Sequence, residues 1–150
     1  MRAILLDIHS AQPQVIELTK EQVTDWRNTA AHALGLFPTG RVMRTAMEFV
    51  PVQDQASLIP VHLFCATPSA LTEKMRSRHT ITASRGLQYD GEVPVLGSTL
   101  IVKRDVTHGY AIDFTDKDIC DLRAGFRTFH TPKRGDFGRL HLHEVRNSHL

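Results

Sequence analysis

The stretch from Val93 to Arg123 constrains the fold more than any other part of the chain. Leu96, Ser98, Leu100 and Val102 fall on one side of an extended segment and Thr99 and Ile101 on the other, the two-residue alternation of a strand buried on at least one face. A short glycine-bearing run, Asp105-Val106-Thr107-His108-Gly109, follows. Tyr110, Ile112 and Phe114 then alternate again, which predicts an antiparallel hairpin from Leu96 to Phe114. A helix is predicted directly after it: Thr115 can cap it, Asp116 and Asp118 suit the positive end of its dipole, Ile119 and Leu122 give one apolar side, and Gly125 can end it.

The flanking segments build outward from that unit. Ala3 to Leu6 and Val15 to Leu18 are short apolar runs separated by a polar segment with Pro13, and both predict strands. Thr19-Lys20-Glu21-Gln22 fits a capping box. Val23, Trp26, Ala30, Ala33 and Phe37 recur at helical spacing, so the longest helix is placed here, ending near Gly35. Val42 to Val52 fits strand or helix, with strand preferred, and Leu58 to Ala66 reads as a strand with Pro60 near an edge or entry. Thr67-Pro68 predicts the start of a short helix through Met75, and His79 to Leu87 a further strand. Phe126 to His130 reads as extended, Thr131 to Asp136 as a basic loop, and Gly138 to Val145 as a last strand. With no repeat or linker, the expectation over residues 1 to 150 is one α+β domain, mainly an antiparallel sheet with one long and two short helices.

A chain of 150 residues can bury a sufficient core without disulfide or metal support. No run reaches the length of a membrane span, and Asp7 interrupts the opening apolar run too early for a signal peptide, so a cytoplasmic protein is expected. Cys65 and Cys120 lack metal or redox spacing and sit beside Phe64 and Ile119, as reduced, buried small hydrophobes would. The net charge of +2 is unevenly spread. Residues 123 to 150 hold six Lys or Arg against two acids, a net +4, which leaves −2 for the rest. That asymmetry argues against a sequence-specific DNA-binding domain and suits a local anionic ligand.

Met1-Arg2-Ala3-Ile4-Leu5-Leu6-Asp7 resembles the opening of a family of small uncharacterised proteins carried by phages and other mobile elements, which start with Met, a basic residue, Ala, aliphatics and Asp. The likeness resumes at Pro94-Val95-Leu96-Gly97-Ser98-Thr99-Leu100-Ile101-Val102 and reaches the acidic helix after Phe114. It implies no catalytic residues. It implies a setting, a phage or mobile element inside a host cell, in which small proteins act by binding and blocking defence machinery.

Walker loops, dinucleotide fingerprints, His-Glu-x-x-His and nucleophile elbows are absent from the sequence. His141 and His143 share one face of the last predicted strand and could share a metal or a phosphate, but a catalytic zinc needs a third protein ligand, for which His108, His130 or Asp113 would have to be brought near. The tail also interleaves Phe126, Arg127, Phe129, Lys133, Arg134, Phe137 and Arg139, and nucleotide sites use both rings and guanidinium groups. A solvated strand face, and core phenylalanines beside ordinary surface charges, are the plainer readings of the same residues. Asp116, Asp118 and Asp121 lack the glycine and glutamate of a calcium loop and read as a solvated helix start.

The candidate ligand-binding set is therefore Arg127, Lys133, Arg134, Arg139, His141 and His143, with no catalytic residue, metal or cofactor assigned. The first functional reading is a non-enzymatic binding protein that takes a nucleotide signal in a basic pocket or blocks a host immune protein; a homo-oligomer is compatible with it. The alternative is a metal-dependent or histidine-based phosphoesterase, with His141 and His143 as ligands or as acid and base.

Overall fold

The computed structural model describes residues 1–7, 10, 12–36, 41–49, 58–66, 78–84, 90–125, 127–129 and 143–144. In chain order these form β1 (Arg2–Leu6), β2 (Gln14–Glu17), α1 (Lys20–Thr24), α2 (Trp26–Ala33), β3 (Val42–Phe49), β4 (Ile59–Ala66), β5 (Arg78–Ser84), β6 (Asp90–Leu96), β7 (Thr99–Arg104), β8 (Ala111–Ile112), α3 (Asp116–Gly125), β9 (Arg127–Phe129) and β10 (His143–Glu144). All the described strands belong to one antiparallel sheet, with the main path β2-β1-β7-β4-β3-β5-β6. The class is α+β.

Two central strands are apolar on both sides. In β4 every residue except Pro60 is buried, and in β7 so are the four from Thr99 to Val102. One face carries Ile4, Leu6, Met47, Phe49, Ile59, Val61, Leu63, Cys65 and Ile101, closed by Phe114 and Leu122 from α3 and its approach. The other carries Ala3, Val42, Phe64, Ala66, Leu100 and Val102, closed by Trp26, Ala30, Ala31 and Leu34 of α2 and its end. Trp26 stacks on Phe64 with ring centroids 5.5 Å apart and planes 11° from parallel, which seats α2 on the sheet. The predicted alternation at Leu100, Ile101 and Val102 thus separates two cores, not a core from solvent.

Several elements differ from expectation in extent. The strand through Leu96 is interrupted at Gly97, whose φ of +71° lies in the left-handed region that glycine tolerates, so Leu96 ends β6 and Thr99 begins β7. The hairpin is real but short: Lys103 pairs with Ile112 and Arg104 with Ala111. The expected long helix after Thr19 is two helices. Thr19 and Gln22 do form the capping box, but Asp25 leaves helical geometry and its carboxylate caps α2 by accepting from the Asn28 N–H at 3.3 Å. Val42 onward is a strand. Cys65 is buried and free, and burial pushes its thiol up to about 12, whereas Cys120 is free but exposed, contrary to the buried position expected of it. The helix predicted from Thr67 to Met75 lies outside the described residues.

The helix after Phe114 is as predicted and is tied down by charge. Thr115 Oγ1 accepts from the Asp118 N–H at 3.1 Å, and Asp118 Oδ2 accepts from the Thr115 N–H at 2.9 Å and from Lys103 Nζ at 2.6 Å. Burial alone would raise the Asp118 carboxyl, yet Lys103 and the Thr115 N–H hold it below its ordinary value. Arg2 reaches from β1 to Asp113 and Asp116, locking the first strand to the start of the same helix.

Leu100 is fully buried under α2. Leu100→Ala should lower unfolding free energy by about 2 to 5 kcal/mol in a denaturant melt. A loss below about 1 kcal/mol is typical of surface positions and would contradict its place in the core.

Candidate functional site

The α2 side of the sheet is apolar only at one end. Beside Phe64 and Val102 the same face carries Arg44 and Glu48 from β3, His62 from β4 and Arg104 from β7. His62 pairs in register with Ala46 on one side and with Val102 on the other. Arg44 is displaced from that row by two residues on β3, and Arg104 by two residues on β7 in the opposite direction. The three therefore lie on a diagonal with His62 in the middle, an arrangement long side chains can bridge.

The connection between β7 and β8 folds over this diagonal. Asp105 Oδ1 accepts from the N–H groups of Thr107 at 2.8 Å and His108 at 3.3 Å, and Gly109, at φ +79°, closes the turn by donating to the Asp105 carbonyl at 2.7 Å. The turn starts from β7 on the side away from β4, yet the Gly109 carbonyl lies 2.8 Å from His62 Nε2. It must cross β7 to reach it. A carbonyl can only accept, so Nε2 carries the proton and Nδ1 of the neutral ring is left as an acceptor.

That acceptor has no partner. His62 is only 5% exposed, and its Nδ1 is buried without a hydrogen bond, as is Nε of Arg104. An unmet acceptor and an unmet donor on one face carry a desolvation cost that a bound group could relieve. Burial pushes the imidazole down to about 4; the Gly109 carbonyl opposes this, and the positive fields of Arg44 and Arg104 add to it. Burial also lowers the Arg44 guanidinium from its ordinary value. Among the described residues no carboxylate pairs with either arginine, whereas the acids of the other face are matched: Asp116 with Arg2, Asp118 with Lys103 and Asp121 with Lys117. The result is a half-buried patch in which, among the described residues, neither arginine is in an ion pair, although Glu48 lies on the same face of β3.

Of the residues singled out from sequence, two lie in described strands. Arg127 occupies the register position opposite Thr80, and His143 the position opposite Arg44, so β10 borders the basic diagonal directly. Lys133, Arg134, Arg139 and His141 lie outside the described residues. Of the third ligands considered for a histidine metal site, Asp113 is engaged with Arg2 and His108 with Asp105, and His130 lies outside the described residues. Among the described residues no group of three or more His, Cys, Asp or Glu is placed to hold a metal. None of their helices is long and apolar enough to cross a membrane. His62 was not a candidate from sequence, although a histidine inside Ile-Pro-Val-His-Leu-Phe-Cys-Ala, a run otherwise without a titratable side chain apart from its cysteine, was a usable signal. No protein-family model matches the chain, and no curated protein or solved structure does.

Neutral burial of His62 makes stability depend on pH in a defined window. The unfolded chain takes up the proton near pH 6.5 and the folded chain only near 4, so between these values the unfolded state binds more protons and stability falls as pH falls. The loss across that window should be roughly 3 kcal/mol for this group. In His62→Gln, whose amide can still donate to Gly109, unfolding free energies at pH 6.5 and 4 should differ by about that much less than in the wild type. Equal pH dependence in both proteins would mean that His62 titrates normally in the fold.

Proposed function

We propose that this is a non-enzymatic binding protein that holds a phosphate-bearing nucleotide on the basic face formed by Arg44, His62 and Arg104. The observation that carries the reading is the buried, unpaired Nδ1 of His62 flanked by two arginines that lack an acidic partner among the described residues. Guanidinium groups supply planar pairs of donors matched to phosphate oxygens, and a half-buried site makes such charge-assisted bonds stronger than they are in water. The neutral imidazole adds an acceptor for a hydroxyl or amine of the same ligand. His143, opposite Arg44 in β10, borders this face, and Arg127, Lys133, Arg134, Arg139 and His141 are its further ligands on the sequence reading alone.

Binding fits this chemistry better than turnover. An imidazole pushed down to about 4 is a weak base at neutral pH, and arginine does not give up its proton in a protein. The resemblance of the opening residues and of Pro94 to Val102 to phage and mobile-element proteins gives the role its setting: sequestration of a nucleotide signal in the host cytoplasm, which disarms a defence response that depends on it.

Calorimetry against pyrophosphate and a panel of linear and cyclic nucleotides tests the reading. Wild type should bind at micromolar concentrations, more weakly as salt rises. Arg44→Gln, Arg104→Gln and Arg139→Ala should each weaken binding by about ten-fold or more, the loss expected for a charge-assisted hydrogen bond. No binding to any of these ligands would shift the target to a host protein surface, and conversion of a bound nucleotide would make the protein a phosphoesterase.

A further inference from the structure

His62 gives the basic face an acceptor among donors. Its Nε2 is spent on the Gly109 carbonyl, and Nδ1 is left buried with a lone pair and no partner. The other unmet atom of this face, Nε of Arg104, is a donor on the next strand, two residues along from the Val102 that pairs with His62. Neither nitrogen meets the need of the other. The positive fields of Arg44 and Arg104 both reach the ring, which stays neutral at pH 7 because burial holds it down to about 4.

The ground beside the ring is open. Ala46, directly opposite His62 on β3, is exposed, and it lies between Arg44 and Glu48, which share its face. A small group seated over Ala46 can meet guanidinium donors and the imidazole acceptor together. A plain oxyanion, all acceptors, would satisfy the arginines but set its lone pairs against Nδ1. A phosphoryl group that keeps one proton supplies both needs on adjacent atoms: charged oxygens for guanidinium, and a P–O–H for the imidazole. Glu48 favours the same form, because a carboxylate on this face opposes the second negative charge of a dianion. Phosphate monoesters have a second pKa of about 6, so that proton is within reach at neutral pH, whereas diesters have none to give.

Resting on the anion-binding reading above, we infer that this site takes a terminal phosphate monoester together with its proton, the P–O–H donating to Nδ1 of His62. Linear nucleotides that end in a free phosphate are then its ligands. Cyclic nucleotides and other phosphodiesters are poor ones, because they leave the imidazole acceptor unmet.

Calorimetry of the full chain at pH 7, with two pairs of ligands, tests the proton. Inorganic phosphate and sulfate have the same shape, but at this pH phosphate carries a proton and sulfate does not. Phosphate should bind about ten-fold or more tightly, the effect of one buried acceptor met instead of opposed. Sulfate is at least as highly charged, so charge alone predicts the opposite order. Adenosine monophosphate should exceed its cyclic diester by a similar factor. In His62→Leu, which removes the acceptor, phosphate should fall to the affinity of sulfate; His62→Gln, whose amide can donate to Gly109 while its carbonyl accepts, should keep the preference. The wild-type pairs decide the question even where His62→Leu does not fold. Equal affinity within either pair, or a phosphate preference that survives in His62→Leu, overturns the bound proton and leaves the anion site standing. No binding of any of the four ligands to the wild type overturns the anion site and the bound proton together.

Discussion

Strand β4 from Val61 onward and β7 from Thr99 to Val102 are buried on both faces, and the rest of the structure follows from covering them. Leu63 and Ile101 on one side require α3, with Leu122 and the preceding Phe114; Phe64, Leu100 and Val102 on the other require α2, with Trp26 stacked on Phe64. A sheet buried on both faces cannot tolerate a charged group without a reason, because removing an ion from water costs far more than burying an apolar side chain gains. The fold obeys this on the α3 side, where Lys103 meets Asp118 at 2.6 Å. It departs from it on the α2 side, where two arginines flank a buried neutral histidine. That departure is what makes the second face the candidate site.

The location is also where the sheet divides. One edge of β3 is paired with β4 along its whole length, while the other is shared: β10 at Met43 and Arg44, and β5 at Glu48 and Phe49. β5 in turn pairs fully with β6 and gives part of its other edge to β9 at Arg78 to Thr80. Of the C-terminal part of the chain, His143 and Glu144 thus lie opposite Arg44 and Met43.

The parts of the fold visible in sequence were those set by local rules. Thr19 with Gln22, and Thr115 with Asp118, announce helix starts because the capping atoms lie within three residues of one another. Alternation at Leu100 to Val102 announced a strand. What local rules miss is the effect of one residue between elements: Asp25 divides a helically periodic segment because its carboxylate caps a new helix more favourably than it continues the old one, and Gly97 divides an apolar run into two strands. The site was legible only in part. Clustered charge pointed to the tail, where Arg127 and His143 do enter the sheet, but Arg44, His62 and Arg104 are separated by 18 and 42 positions and converge only through the register of three strands. A lone polar residue in an apolar strand was the available hint. His62 is that residue.

The central claim is that an anion settles on the face centred on His62, and the imidazole itself reports it. In NMR titrations of ring-labelled protein, free His62 should protonate near pH 4, and saturating pyrophosphate should raise that midpoint toward the ordinary value of about 6.5, because a nearby negative charge favours the imidazolium. A midpoint near 4 that does not move when pyrophosphate is added, or a free protein already titrating near 6.5, would contradict the account.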